Sequence, residues 1–303
     1  MVSRDDVIRA RPVVELHLTR TPMLASRTLG ARLKCELFQR TGSFKPRGAI
    51  NKLASLGAAE KSRGIIAISA GNHAQAAAFA AREYGVSALV VMWQGASELK
   101  IAATRGYGAE VDLEASDPAG AFERLDELLE QTGRTLVHPF DDPVVLAGAG
   151  TVGLEIEEDA PDADAVVVPV GGGGLIGGIV AALGEGPMRV IAVEPETSRA
   201  LHEGIAANAP VPVTPVSIAD GLNAPFAGRL AIESCRDLER VLVSEEEIKA
   251  GFRFLYERAK LACEPAGAVA TAAILAGKID AERPVALVSG GNVSAQTASG
   301  ILA

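Results

Sequence analysis

The chain has 303 residues, 48% of them hydrophobic and only 4% aromatic, with a formal net charge of −9. That length suits two lobes of an α/β enzyme, while the acidic balance and the scarcity of stacking rings argue against a nucleic-acid partner. No apolar run is long enough to span a bilayer, and no apolar stretch follows the opening Met1-Val2-Ser3-Arg4-Asp5-Asp6, so neither a membrane partner nor a secretory signal is expected.

From Gly64 onward, strand-like and helix-like segments alternate. Ile65 to Ser69 is apolar and β-branched, and reads as a strand. Asn72 to Tyr84 is alanine-rich without Pro or Gly, which predicts a helix closed by Gly85. Ala88 to Met92 reads as a strand and Glu98 to Arg105 as a helix ending at Gly106. Ala119 to Gln131 predicts another helix, and Leu136-Val137-His138 a short strand. The pattern then repeats. Val144 to Glu158 reads as helical despite its small residues near Gly148 and Gly150, Ala165 to Val170 as a strand, Leu175 to Leu183 as a helix and Val190 to Val193 as a strand. Val241 to Val243 predicts a strand before a helix over Glu245 to Lys260, whose acidic first turn faces the positive end of the dipole. A helix over Pro265 to Ala276 and a strand over Val285 to Val288 complete the series, and Ala206 to Val216 is expected to wrap the surface. Alternation of this kind implies mainly parallel sheets. Two lobes are expected, a small one over residues 48–138 and a large one over 1–47 plus 139–303.

Cys35, Cys235 and Cys263 are odd in number and form no paired metal motif, and the four histidines make no His-x-x-x-His pair. Thiols packed as small hydrophobes in a reducing cytoplasm are the simple reading, with no metal site.

Three motifs carry chemistry. The run Thr41-Gly42-Ser43-Phe44-Lys45-Pro46-Arg47-Gly48-Ala49 sets one lysine between an aromatic ring and a proline. A lysine becomes a nucleophile only by losing its proton near neutral pH, which a crowded, desolvating site arranges. Taken alone, the run is equally a loop with a solvated lysine. Gly171-Gly172-Gly173-Gly174 follows an apolar strand and precedes a helix. Backbone amides free to turn inward, with the helix dipole behind them, suit a phosphate. One glycine would suit a plain tight turn; four carry an entropic penalty on folding that asks for a reason. No Walker lysine follows and the Gly-x-Gly-x-x-Gly fingerprint is absent, although Glu194 after the next strand leaves a dinucleotide fold open at this element. Ser69-Ala70-Gly71-Asn72-His73 lies where a strand gives way to a helix, a place for a substrate carboxylate or for an ordinary helix cap. Read alone, His73 is a structural histidine. Ser289-Gly290-Gly291-Asn292 ends the last strand; its hydroxyl could meet a ring nitrogen, or the run could be a turn.

In this order the motifs resemble the pyridoxal-phosphate enzymes of the tryptophan synthase β-subunit type, fold type II. The likeness is greatest to the threonine/serine dehydratase and serine racemase group. It spans nearly the whole chain, adding Thr21-Pro22, His138 to Pro143, Gly150 to Gly153 and Glu264 to Ala268. The resemblance implies an α/β fold of two lobes with mainly parallel sheets, the larger lobe holding pyridoxal 5'-phosphate. It implies Lys45 as the Schiff-base lysine, Phe44 on the cofactor ring and Asn72 at its phenolic oxygen. Gly171, Gly172, Gly173, Gly174 and Leu175 would hold the phosphate, and Ser289 would face the pyridine nitrogen. Ser43, Ser69, Ala70, Gly71 and His73 would line the substrate's carboxylate site. The implied reaction is elimination from L-threonine or L-serine, giving a 2-oxo acid and ammonia, by a cytoplasmic homo-oligomer (dimer or tetramer). Alternatives are a serine racemase, a hydroxyaspartate dehydratase, a threonine synthase-like replacement enzyme and a cofactor-binding protein without catalysis.

Four positions depart from that pattern. Ala70 stands where the racemases of the group place a second serine, and a methyl transfers no proton. Ala200 replaces the second carboxylate of the racemases' divalent-metal site, whose first is Glu194. Leu37 and Ala149 replace an Asn and a Gln. The chain ends soon after its last strand and helix, so the regulatory domain of biosynthetic threonine dehydratases, and feedback by isoleucine, are not expected.

Overall fold

Residues 1–303 are described by a computed structural model. Two sheets organise it. The larger takes strands β1 (Met23–Ser26), β2 (Ala31–Cys35), β7 (Ala165–Pro169), β8 (Arg189–Pro195), β9 (Glu239–Val243) and β10 (Pro284–Val288), in the order β1-β2-β10-β7-β8-β9. The smaller takes β3 (Ile65–Ile68), β4 (Ala88–Trp93), β5 (Glu110–Ala115) and β6 (Thr135–Leu136), in the order β5-β4-β3-β6. Every pair is parallel except β1 with β2. Strands β3, β7 and β10 are buried along their whole length, as the β-branched runs imply when helices cover both faces.

Several elements are invisible to composition. The edge strand β5 alternates Glu, Asp and Glu with apolar residues and lies largely at the surface. The helix Arg4–His17 is opened by a Ser3–Asp6 capping box. The helix Pro46–Ser55 begins directly after Lys45 with proline in its first turn. Other boundaries move. The helix Glu98–Gly106 contains Gly106, and the left-handed turn comes at Gly108, with φ +94°. His138 lies beyond β6, its Nδ1 accepting from the Phe140 and Asp141 amides at 3.2 and 2.8 Å. The helix from Glu245 is regular to Phe254, then widens into a π turn over Leu255–Ala259. Beyond the helix Ala200–Ala207, the chain forms no regular element until Asp220. All three cysteines are free and buried.

The helix Pro143–Asp159 carries the small residues that its sequence pattern leaves unexplained. A Cβ on Gly148 would stand 2.3 Å from the Arg47 carbonyl oxygen, and one on Gly48 2.7 Å from that of Val145. On the other flank, a Cβ on Gly150 would stand 2.5 Å from the Gly178 carbonyl oxygen. This helix therefore sits in backbone contact both with the helix that follows Lys45 and with Gly174–Leu183, behind the glycine run. The spacing between the two motifs is set through it.

Gly148→Ala should destabilise the chain by about 1–3 kcal/mol or more through overpacking against backbone that cannot give way. Gly106→Ala meets nothing within 4 Å and should be neutral or gain up to about 1 kcal/mol. Thermal melts of both variants check this; equal losses would mean that the helix contact has been misjudged.

Candidate active site

The motifs converge at the ends of β3, β7 and β10. The lysine run is held to the end of β10: the Phe44 amide donates to the Ser289 carbonyl at 3.1 Å, and Ser43 bridges to Gly290. The Lys45 amine donates to the Pro139 carbonyl at 2.9 Å. The next residue, Phe140, seats its ring and backbone so close to Gly172 and Gly174 that a Cβ on either would lie within 3 Å of it. The Pro139–Phe140 pair thus joins the lysine to the glycine run. Lys45 is half-buried by area. Desolvation of its amine pulls the pKa down to about 8, against the upward pull of Glu264.

The glycine run is an anion cradle. The amides of Gly171, Gly172, Gly173, Gly174, Leu175 and Ile176 find no acceptor in the protein. Gly173 takes φ +92° at the helix N-terminus, and no side chain caps the turn. Such a series of largely buried amide donors at a helix N-terminus suits an anionic partner. A second, smaller cradle opens the helix Asn72–Glu83, where the Asn72, His73 and Ala74 amides are also free. The Ser69 hydroxyl accepts from the Gly71 amide at 3.0 Å. Ala70, half-buried, presents only a methyl. The His73 ring is turned to the Val137 carbonyl, 2.7 Å from Nε2. Burial, and then the Lys45 charge, push its pKa down to about 3, so the ring is neutral; His73 meets the cradle by its amide alone. The Ser43 hydroxyl is fully buried without a partner, and that of Ser289 makes no hydrogen bond in the protein.

Two further residues at the site have no role assigned by the sequence pattern. Glu264 is 4% exposed and accepts from the Asn72 side-chain amide at 2.8 Å. Burial, and then the Asp220 charge, push its pKa up to about 7. Asn292 donates to Asn72 Oδ1 at 2.8 Å and to the Thr41 carbonyl at 2.7 Å. Both belong to runs matched to the family pattern, but a motif match does not say which side chains meet. Glu194 lies apart, its two oxygens accepting from the Leu201 and His202 amides at 2.8 and 3.0 Å.

Residues 14–290 match the model of the pyridoxal-phosphate dependent enzymes. The chain belongs to this family. It is 41% identical over 318 residues to the catabolic L-threonine dehydratase of Escherichia coli K12, covering 99% of this chain and 96% of that one. The Staphylococcus aureus N315 enzyme of the same name is 42% identical, with 100% and 92% covered. Among solved structures, maize serine racemase superposes with a TM-score of 0.93 at 32% identity, covering 99% and 96%. The threonine deaminase of T.th. gives 0.90 at 37%, covering 96% and 99%. The cofactor of the family is pyridoxal phosphate. The residues present fit it: a half-buried amine of lowered pKa for its aldehyde, six free amides for its phosphate, and a free hydroxyl at Ser289.

Behind Lys45 lies a buried ion network. Arg47 donates to Glu36 through two nitrogens, both at 2.8 Å, and to Glu155 at 2.7 and 3.0 Å. Lys34 pairs with Glu155 at 2.7 Å, and the Thr21 hydroxyl with Glu36 at 2.5 Å. Burial alone would raise Glu155, but Arg47 and Lys34 hold it below the usual carboxylate range. That lowered value contributes stability that is fully present above the ordinary glutamate pKa and is lost as pH falls below it and through the lowered, folded-state value. Arg47→Met should cost about 3–5 kcal/mol near neutral pH by leaving buried carboxylates unmatched. The penalty should shrink on acidification, because Glu155 without Arg47 is pushed upward and takes a proton sooner. Denaturant melts over a pH series check both the size and the sign.

Proposed function

We propose that this chain is a cytoplasmic ammonia-lyase that eliminates the β-hydroxyl of L-threonine, L-serine or both, giving a 2-oxo acid and ammonia. The observation that carries the reading is the Lys45 amine, lowered to about 8 and tied through Pro139–Phe140 to the six free amides of Gly171–Ile176. Pyridoxal phosphate supplies the electron sink. Lys45, a large fraction of it neutral near pH 8, takes the proton from the substrate Cα. The amides of Gly171 to Leu175 would hold the phosphate, and Phe44 would pack beside the ring. Asn72 would meet the ring oxygen. Ser289, a hydroxyl rather than a carboxylate, would leave the pyridine nitrogen mostly uncharged, which an elimination would tolerate because the leaving group carries the charge away. The substrate carboxylate falls to the free amides at Asn72–Ala74, with Ser43, Ser69 and Gly71 beside them. The names of the bacterial relatives support the substrate class. Residues 48–138 form the small lobe in this reading, and the working species is a homo-oligomer, dimer or tetramer.

Borohydride reduction of the holoenzyme should fix the cofactor to Lys45, located by peptide mapping. Lys45→Ala should lower 2-oxo acid formation from L-threonine and L-serine by at least about 1,000-fold, since the base and the covalent anchor go together. A label on another lysine, or turnover that survives the substitution, would sink the assignment.

Ala70 decides elimination over racemisation. Inverting Cα needs a proton donor on the face opposite Lys45, and Ala70 has none. Wild type should form little D-serine from L-serine. Ala70→Ser adds one oxygen at the strand-to-helix turn and should form measurably more while still eliminating. Chiral chromatography of the products reads the difference, and rapid D-serine formation by wild type would mean that a different side chain supplies the second proton.

A further inference from the structure

The hydrogen bonds around Asn72 have a direction, and a backbone carbonyl sets it. The Thr41 carbonyl can only accept, so the Asn292 atom 2.7 Å from it is the amide nitrogen. That nitrogen has a second hydrogen, directed at Asn72 from 2.8 Å. The Asn72 atom facing it must therefore be the oxygen. The Asn72 nitrogen is then left facing Glu264, whose carboxyl accepts at 2.8 Å. One N–H of Asn72 remains unused, and the chain Thr41–Asn292–Asn72–Glu264 leaves no freedom to exchange it for an acceptor.

The surroundings keep this order in place. Thr41 is held at φ +61°, unusual for a β-branched residue, and its carbonyl direction follows from that backbone. Gly290 makes room for Glu264: a Cβ there would stand 2.3 Å from its Oε1. Gly42 likewise makes room for Asn292, since a Cβ would stand 2.4 Å from its Oδ1.

Resting on the function proposed above, we infer that Asn292 and Glu264 are positioning residues that hold the Asn72 amide as a donor toward the oxygen of the cofactor ring. A donor there favours the ionised ring oxygen; a flipped amide, presenting its own oxygen, would oppose it. Neither residue need touch the substrate.

The test uses three holoenzyme variants, read by cofactor affinity and by the ratio of visible to near-ultraviolet cofactor absorbance at one fixed pH. Apo melting temperatures are taken alongside. Glu264→Gln keeps an oxygen acceptor and should retain the wild-type absorbance ratio, with affinity within about threefold. Glu264→Leu removes the acceptor and should weaken cofactor binding about tenfold or more and lower the visible share, as expected for losing one hydrogen bond to a charged group. Asn292→Asp cannot donate to Asn72 and should move both readouts in the same direction; if it fails to fold, the Glu264 pair decides alone. Equal losses in Glu264→Gln and Glu264→Leu, or an unchanged absorbance ratio in Glu264→Leu, would overturn the inference. Neither readout needs turnover, so wild type that binds the cofactor at Lys45 yet makes no 2-oxo acid would refute the elimination reading and leave this one standing.

Discussion

A buried guanidinium without partners is too costly to exist, and Arg47 has no measurable exposure. Its demand for carboxylates draws three parts of the chain to one point: Glu36 after β2, Glu155 and Thr151 on the helix Pro143–Asp159, and Arg47 itself in the first turn of the helix that follows Lys45. Lys34, from β2, completes the balance at Glu155. Because Arg47 lies two residues beyond Lys45, this network anchors the backbone from which the Lys45 amine projects.

Two helix N-termini then offer free backbone amides. The glycine run after β7 offers six free amides, and the turn after β3 offers three. Each lies beyond the carboxyl end of a parallel strand, where helix dipoles and unpaired N–H groups coincide. Both turns suit anions. The neutral His73 adds no charge, and burial makes the Lys45 ammonium form less favourable than it is in water. One arrangement thus offers free backbone dipoles to anions and, by enclosing Lys45, lowers its pKa.

The family was legible because its motifs are local. Four adjacent glycines, Phe44-Lys45-Pro46 and Ser69 to His73 each combine a turn with a distinctive side chain or free backbone amides within a few residues. Buried strands were legible for a related reason: β3, β7 and β10 are covered on both faces, so nearly every position must be apolar. The exposed edge strand β5 has no such requirement, and its acidic residues conceal it. His73 shows the limit at one residue. Its place in the motif suggests a ligand contact, yet the ring faces Val137, a partner 64 positions away.

By itself the sequence determined the fold class and the family, since the lysine run and the glycine turn that mark them depend on residues close together in the chain. The tertiary structure alone decided which distant groups complete them. Glu264 reaches Asn72 across 192 positions, Asn292 reaches Thr41 across 251, and Arg47 reaches Glu155 across 108. No local pattern encodes such pairs: a buried polar atom takes whichever partner the packing brings within about 3 Å, and packing is a property of the whole chain.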